Sequence, residues 1–180
     1  LAMDQEFLII NPGSASKKYA WYSGEQEQLA IYAETTPTGY LATIRSPVGE
    51  QEESWDEATY THALDRVLAY AQQAKLTGRP AAVGIRVVAP GQFWQQHRLL
   101  DEAAYQELLN KQKTAPLHLG PAIAELNKLR ELMPQVKTIA VSDSAFHATM
   151  PAPVRQYGLP EQLIKEYELY RFGYHGISFK

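Results

Sequence analysis

An α/β domain is the fold class that the sequence predicts, and three observations predict it. Short β-branched apolar runs bounded by Pro or Gly recur along the chain, at residues 7–10, 81–88 and 136–141. Between them lie segments with apolar residues at helical spacing and polar capping residues at their starts. The length, 180 residues, suits one domain with a real core.

The first run, Phe7-Leu8-Ile9-Ile10, reads as a buried strand. A loop of small polar residues follows, Asn11-Pro12-Gly13-Ser14-Ala15-Ser16-Lys17-Lys18. Small side chains let backbone N–H groups approach an anion, and hydroxyls and ammonium groups add matched donors, which suits a phosphate. An ordinary hairpin turn explains Pro-Gly and Ser equally simply. Residues 18–22 and 28–34 read as second and third strands, and 41–44 as a further one. The first helix is expected from Ser54, where Ser54-Trp55-Asp56-Glu57 matches a capping box, with Leu64, Val67, Leu68 and Ala71 as its core stripe. It should stop before Gly78 and Pro80.

The strand at 81–88 carries Arg86 in an otherwise apolar stretch. An arginine there either snorkels to a wet face or holds its fork at the strand end for a carboxylate or phosphate. After Ala89-Pro90-Gly91 and a polar loop, Asp101 can cap a helix to about Lys111, with Leu100 and Tyr105 spaced as a staple. Ala115-Pro116-Leu117-His118 then reads as a connecting segment, in which a histidine is more often a surface residue than a catalytic one. A helix over 121–133 with Ala122, Leu126, Leu129 and Met133 on one face precedes the strand at 136–141. Asp143 stands just past that strand, where α/β folds place ligand contacts and where Asp also caps turns. Met150-Pro151-Ala152-Pro153 reads as a rigid linker, 160–167 as a short helix, and 171–180 as a turn or short strand that brings His175 to a close backbone approach.

Charge and composition exclude several classes. The net charge of −3 gives no electrostatic case for a nucleic-acid or anionic-membrane partner. The absence of cysteine removes disulfides, thiolate metal sites and a cysteine nucleophile, and fits a reducing cytoplasm. The five histidines lack zinc spacing, and neither a G-x-S-x-G elbow nor a Walker-type loop occurs. No apolar run approaches a membrane span and no signal peptide is visible. Leu1-Ala2 precede a methionine, so Met3 is read as the native start.

Five features stand in order: the loop from Asn11 to Lys18, Arg86-Val87-Val88, Ala115-Pro116-Leu117-His118, Ser142-Asp143-Ser144-Ala145-Phe146-His147 with Thr149-Met150-Pro151, and Arg171-Phe172-Gly173-Tyr174-His175-Gly176. In that order they resemble the N-terminal half of the acetate kinase family, which includes propionate and butyrate kinases. The resemblance implies a ribonuclease-H-like domain of the actin, Hsp70 and sugar-kinase superfamily, with a mixed sheet flanked by helices. The order read from the residues, β-β-β-α-β-α-α-β, is compatible with it. It implies phosphoryl transfer between ATP and a short carboxylate, with Mg2+. By the same resemblance, Asn11, Ser14, Ser16 and Lys18 face phosphate, with Asn11 also the candidate on the metal side. Arg86 holds the substrate carboxylate, and Val88, Leu117 and Tyr174 wall the acyl group, the family more often having Phe at the last position. His118 and His175 stabilise the phosphoryl group in flight, and Asp143 positions the nucleophile or metal.

The chain departs from the family pattern at Ile85 and Ala89, where histidines are usual, at Pro90, where glycine is usual, and at Phe179, where histidine is usual. The resemblance further implies that residues 1–180 are the carboxylate and phosphate side of a longer kinase, with the second domain absent. It implies a cytoplasmic protein whose full-length parent is a homodimer, whereas the fragment is a monomer with negligible activity alone. The other reading is a non-catalytic carboxylate- or phosphate-binding or interaction domain of the same fold.

Overall fold

The structure, a computed structural model, describes residues 5–179, with Phe179 by its backbone alone. The candidate start at Met3 and the terminal Lys180 lie outside the described residues. Strand β1 (Glu6–Pro12) forms first, and β2 (Ser16–Ser23), β3 (Gln26–Thr36), β4 (Gly39–Ser46) and β5 (Gly49–Trp55) follow as an antiparallel meander. Helices α1 (Glu57–Thr61) and α2 (Ala63–Gln73) lead to β6 (Ala82–Val87), which pairs parallel to β1. The two-residue β7 (Arg98–Leu99) and helices α3 (Glu102–Gln112) and α4 (Pro116–Leu132) precede β8 (Lys137–Ser142), parallel to β6. Helices α5 (Ala152–Arg155) and α6 (Glu161–Glu166) complete the described elements, with 3-10 turns at Gln92–Trp94, Asp143–Thr149 and Gly176–Phe179.

These strands make one mixed sheet of order β5-β4-β3-β2-β1-β6-β8-β7. Its central part, β3-β2-β1-β6-β8, is the ribonuclease-H-like arrangement that the resemblance implied. Strand alternation sets its core. Leu8 and Ile10, Tyr19 and Trp21, Leu29 and Ile31, and Val83, Ile85 and Val87 all bury one face. Helix α4 packs over β1 and β6 on that face and α2 over β3, each through an apolar stripe: Leu64, Val67 and Ala71 on α2, and Leu119, Ala122, Ile123, Leu126 and Leu129 on α4. Residues of opposite parity point to the other face, where Ile9 and Ile139 stay partly exposed.

Three local expectations change. Ser54 does not cap a helix: it pairs with Leu41 in the sheet, and Asp56 caps α1 by accepting from the Thr59 N–H at 2.7 Å. The strand that displaces it, Gly-Glu-Gln-Glu-Glu-Ser-Trp, buries only its last residue, so it has no apolar pattern to detect and is the charged edge that a sheet uses against further pairing. Ala115-Pro116-Leu117-His118 is not a connector, since α4 begins at Pro116. Proline suits the first helical position, whereas Pro121 lies inside the helix, where it has no N–H to give the Leu117 carbonyl. The stretch at Met150–Pro153 runs into α5 instead of forming a plain linker. The Asp101 cap stands as expected, accepting from the Ala104 N–H at 2.8 Å.

Candidate active site at the carboxyl edge of the parallel strands

The parallel strands β1, β6 and β8 end together at Pro12, Val87 and Ser142. The chain segments leaving that edge carry most of the candidate residues, as the crevice rule for open α/β sheets expects. Arg86 is the second-last residue of β6, and its parity turns it away from the helix-covered core. Its Nη1 donates to Asn11 Oδ1 on β1 at 3.2 Å, and its Nη2 donates to Asp143 Oδ2 at 2.7 Å. Its side chain keeps 25% exposure while that of Asp143 has none. A guanidinium has five N–H donors, so the three others have no protein partner among the described residues.

Asp143 follows β8 in the first position of a 3-10 turn, and it anchors the site. Oδ2 also accepts from the His175 N–H at 2.8 Å, and Oδ1 accepts from the Ile177 N–H at 3.3 Å. Burial pushes its carboxyl up, but the Arg86 hydrogen bond, then the amides of His175 and Ile177, outweigh this and hold it below the usual carboxylate range. His175 occupies the left-handed region, φ +58°, uncommon for a residue other than glycine. Tyr174 lies beside His118 with ring centroids 5.6 Å apart, and burial raises its phenol pKa. His118 is in the first turn of α4, which brings it to this edge. Contacts thus link Asn11, Arg86, Asp143, His175, Tyr174 and His118 in one continuous set.

Other candidates sit around that set without joining it. Val88 is half-buried one residue past β6, and Leu117 is 78% exposed beside His118. Ser14 is exposed in the β1–β2 loop, and Ser16 opens β2 half-buried. Lys18 is cross-strand from Asn11, with its ammonium 4.9 Å from the centre of the Tyr32 ring. The buried lysine is its neighbour. Lys17 Nζ meets Glu125 Oε1 on α4 at 2.7 Å and donates to the carbonyls of Tyr60 at 2.8 Å and Thr61 at 3.3 Å. Burial, followed by the Glu125 charge, pushes the adjacent Tyr19 phenol well above its ordinary value. Sequence reasoning missed this pair, although alternation with Tyr19 and Trp21 marks Lys17 as the inward lysine.

The described residues do not fit a magnesium site by themselves. No group of three or more His, Asp or Glu side chains is gathered among them. Asp143 spends both oxygens on Arg86 and backbone amides, and Asn11 Oδ1 faces a guanidinium, a poor neighbour for a second cation. No helix of the described residues is long and apolar enough to cross a membrane.

Comparison with known proteins bears on the family and the fold. The profile of the acetokinase family matches residues 6–180. The acetate kinase of Chromobacterium violaceum is 30% identical over 99% of this chain and 46% of its own length. Acetate kinase 1 of Vibrio cholerae is 33% identical over 98% of this chain and 46% of its own length. In fold, the chain is similar to a propionate kinase from Francisella tularensis, with a TM-score of 0.85 at 24% identity over 97% of this chain and 46% of that one. It is also similar to the Porphyromonas gingivalis acetate kinase, with a TM-score of 0.81 at 25% identity over the same shares. The chain spans about half the length of the curated relatives it matches. With its sheet order and a family match over nearly its whole length, the chain belongs to the acetokinase family.

Proposed function

We propose that this chain is the carboxylate and phosphoryl side of a short-chain carboxylate kinase. The single observation that carries the reading is Arg86: a guanidinium fixed by Asp143 and Asn11, with three N–H donors unpartnered among the described residues, at the carboxyl edge of the parallel strands. Such a fork binds a carboxylate in a defined orientation. Val88, Leu117 and Tyr174 then contact the acyl chain, and His118 and His175 donate to the phosphoryl oxygens. Asn11, Ser14, Ser16 and Lys18 face the donor phosphates. A carboxylate is already ionised near neutral pH, so the site needs aim and positive charge rather than a strong base. A carboxylate oxygen attacks the γ-phosphorus of ATP, the P–O bond to ADP breaks, and acyl phosphate and ADP leave. A divalent cation would supply charge neutralisation in the complete reaction, held by groups other than the described residues. This chain's part is to aim the acid and screen the transferring group. Within the longer kinase, a homodimer of the cytoplasm, a second domain brings the nucleotide.

The reading is tested on the 180-residue chain by amide NMR titration with acetate, propionate and acetyl phosphate. Signals at residues 86–91, 143–147 and 173–177 should move together, with dissociation constants on the order of 1 mM. Hydroxamate-trapped acyl phosphate should stay at background when Mg-ATP and acetate are supplied to the chain alone. Unmoved signals at those residues would remove the site. Acyl phosphate made at a rate comparable with a full-length relative would instead show that the chain carries a complete active site.

A further inference from the structure

The segment that presents Tyr174 and His175 is gripped along its backbone by one 3-10 turn. Ser144 Oγ lies 3.1 Å from the Gly173 carbonyl, and His147 Nε2 lies 3.0 Å from the Tyr174 carbonyl. Asp143 accepts from the amides of His175 and Ile177 at 2.8 and 3.3 Å. Three side chains within Asp143–Thr149 therefore engage four backbone groups within five residues. Packing closes the same fit. Gly173 has φ +69°, and a Cβ there would overlap the His147 ring; a Cβ on Gly176 would overlap the Asp143 carbonyl and Phe146. Glycine is needed at Gly173 because of the His147 ring and the positive φ, and at Gly176 because the Asp143 carbonyl comes so close.

We propose that His147 is a positioning residue for the site. Its ring fills the space in front of Gly173, and its Nε2–H holds the Tyr174 carbonyl, so that His175 is presented in its left-handed conformation. A carbonyl only accepts, so Nε2 carries the proton. His147 acts on the backbone before His175 as Asp143 acts on the amide of His175, and each contact constrains one side of the same peptide unit. The side chain of Asp143 thereby ties Arg86 to this segment, and His147 fixes the segment's angle. The inference rests on the proposed role of His175 toward a phosphoryl group, and its test separates the two.

Amide hydrogen exchange of the 180-residue chain is measured at His175 and Ile177, with the amides of β6 and β8 as internal reference. His147→Ala should speed exchange at His175 and Ile177 by about tenfold while the two strands keep their rates. His147→Gln, whose amide NH2 can donate to the same carbonyl, should restore most of the protection. Gly173→Ala should open the segment in the native background, and less so in His147→Ala, where the ring overlap is gone and only the strain of a positive φ remains. Unchanged exchange in His147→Ala, or acceleration spread equally over β6 and β8, would overturn the proposal. Failure of glutamine to restore protection would overturn the hydrogen-bond part of it. Acetyl phosphate is then added: it should slow His175 exchange in the native chain and not in His147→Ala. If exchange follows the expected pattern but acetyl phosphate leaves His175 unaffected in the native chain, the clamp stands and the phosphoryl reading of His175 falls.

Discussion

Lys17→Met is expected to destabilise the chain by about 3–5 kcal/mol, the usual cost of leaving one member of a buried ion pair without its partner. The side chains of Lys17 and Glu125 are 9% and 3% exposed, so water cannot solvate the carboxylate left behind. The ammonium also serves the carbonyls of Tyr60 and Thr61 at the end of α1, which lose their donor in the same step. Its three N–H donors have three acceptors, so the native lysine is fully satisfied. Thermal unfolding should fall by roughly 6–20 °C, taking about 2–4 °C per kcal/mol for a chain of this size. Pairing Lys17→Met with Glu125→Leu should recover most of the loss, because removing both charges leaves no orphan. The double variant being no better than Lys17→Met would show that the pair is not the source of the effect. The pair joins β2, which leaves the loop proposed to face phosphate, to α4, which begins at the edge with His118.

Asp143→Asn is the second large effect, on stability and on binding together. The native carboxylate accepts from three donors with two oxygens. Asparagine offers one acceptor oxygen and turns an NH2 toward an N–H donor, in a position with no exposure. Loss of a charge-assisted hydrogen bond and a buried mismatch should cost about 2–4 kcal/mol. Arg86 loses its orienting partner, so acetyl phosphate affinity should fall as well. The pH dependence follows from the lowered carboxyl pKa. A carboxyl depressed on folding contributes its full stability above its unfolded value, about 3.9, and loses it as pH falls through the lower folded value. The 173–177 segment should therefore stay ordered through mildly acidic pH and loosen only below about pH 4. In Asp143→Asn that acid phase should be missing. An unchanged acid transition in the variant would assign the transition to other groups.

Much of the sheet was legible because its signals are local. Apolar strands with period-two burial, such as those around Ile31 and Ile85, announce themselves, and so does the Asp101 cap. Strand β5 did not, because an edge strand of Glu and Gln is written against pairing rather than for it. Ser54 shows how a capping box can be spent inside a ladder, with Asp56 two residues on supplying the cap. His118 was placed in a connector beside Pro116 with the helix starting at Pro121, yet α4 already begins at Pro116. At the site, residue types and order pointed to Arg86, Asp143 and His175, whereas only the folded chain shows that Asp143 holds both others. Alternation with Tyr19 and Trp21 could have marked Lys17 rather than Lys18 as the buried lysine, but its partner Glu125 is 108 positions away. Long-range pairing of that kind has no local signature.

The central claim is that Arg86 is the anion-holding group of a carboxylate and phosphoryl site. It is tested most directly by titrating acetyl phosphate into the native chain, Arg86→Ala and Arg86→Lys, with Arg79→Ala as an exposed control. Loss of charge-assisted hydrogen bonds worth about 1.5–3 kcal/mol should weaken binding by roughly 10- to 100-fold in Arg86→Ala. Arg86→Lys should fall between, since a single ammonium cannot reproduce the fork, and Arg79→Ala should bind as the native chain does. Equal affinity of the native chain and Arg86→Ala for acetyl phosphate would contradict the account.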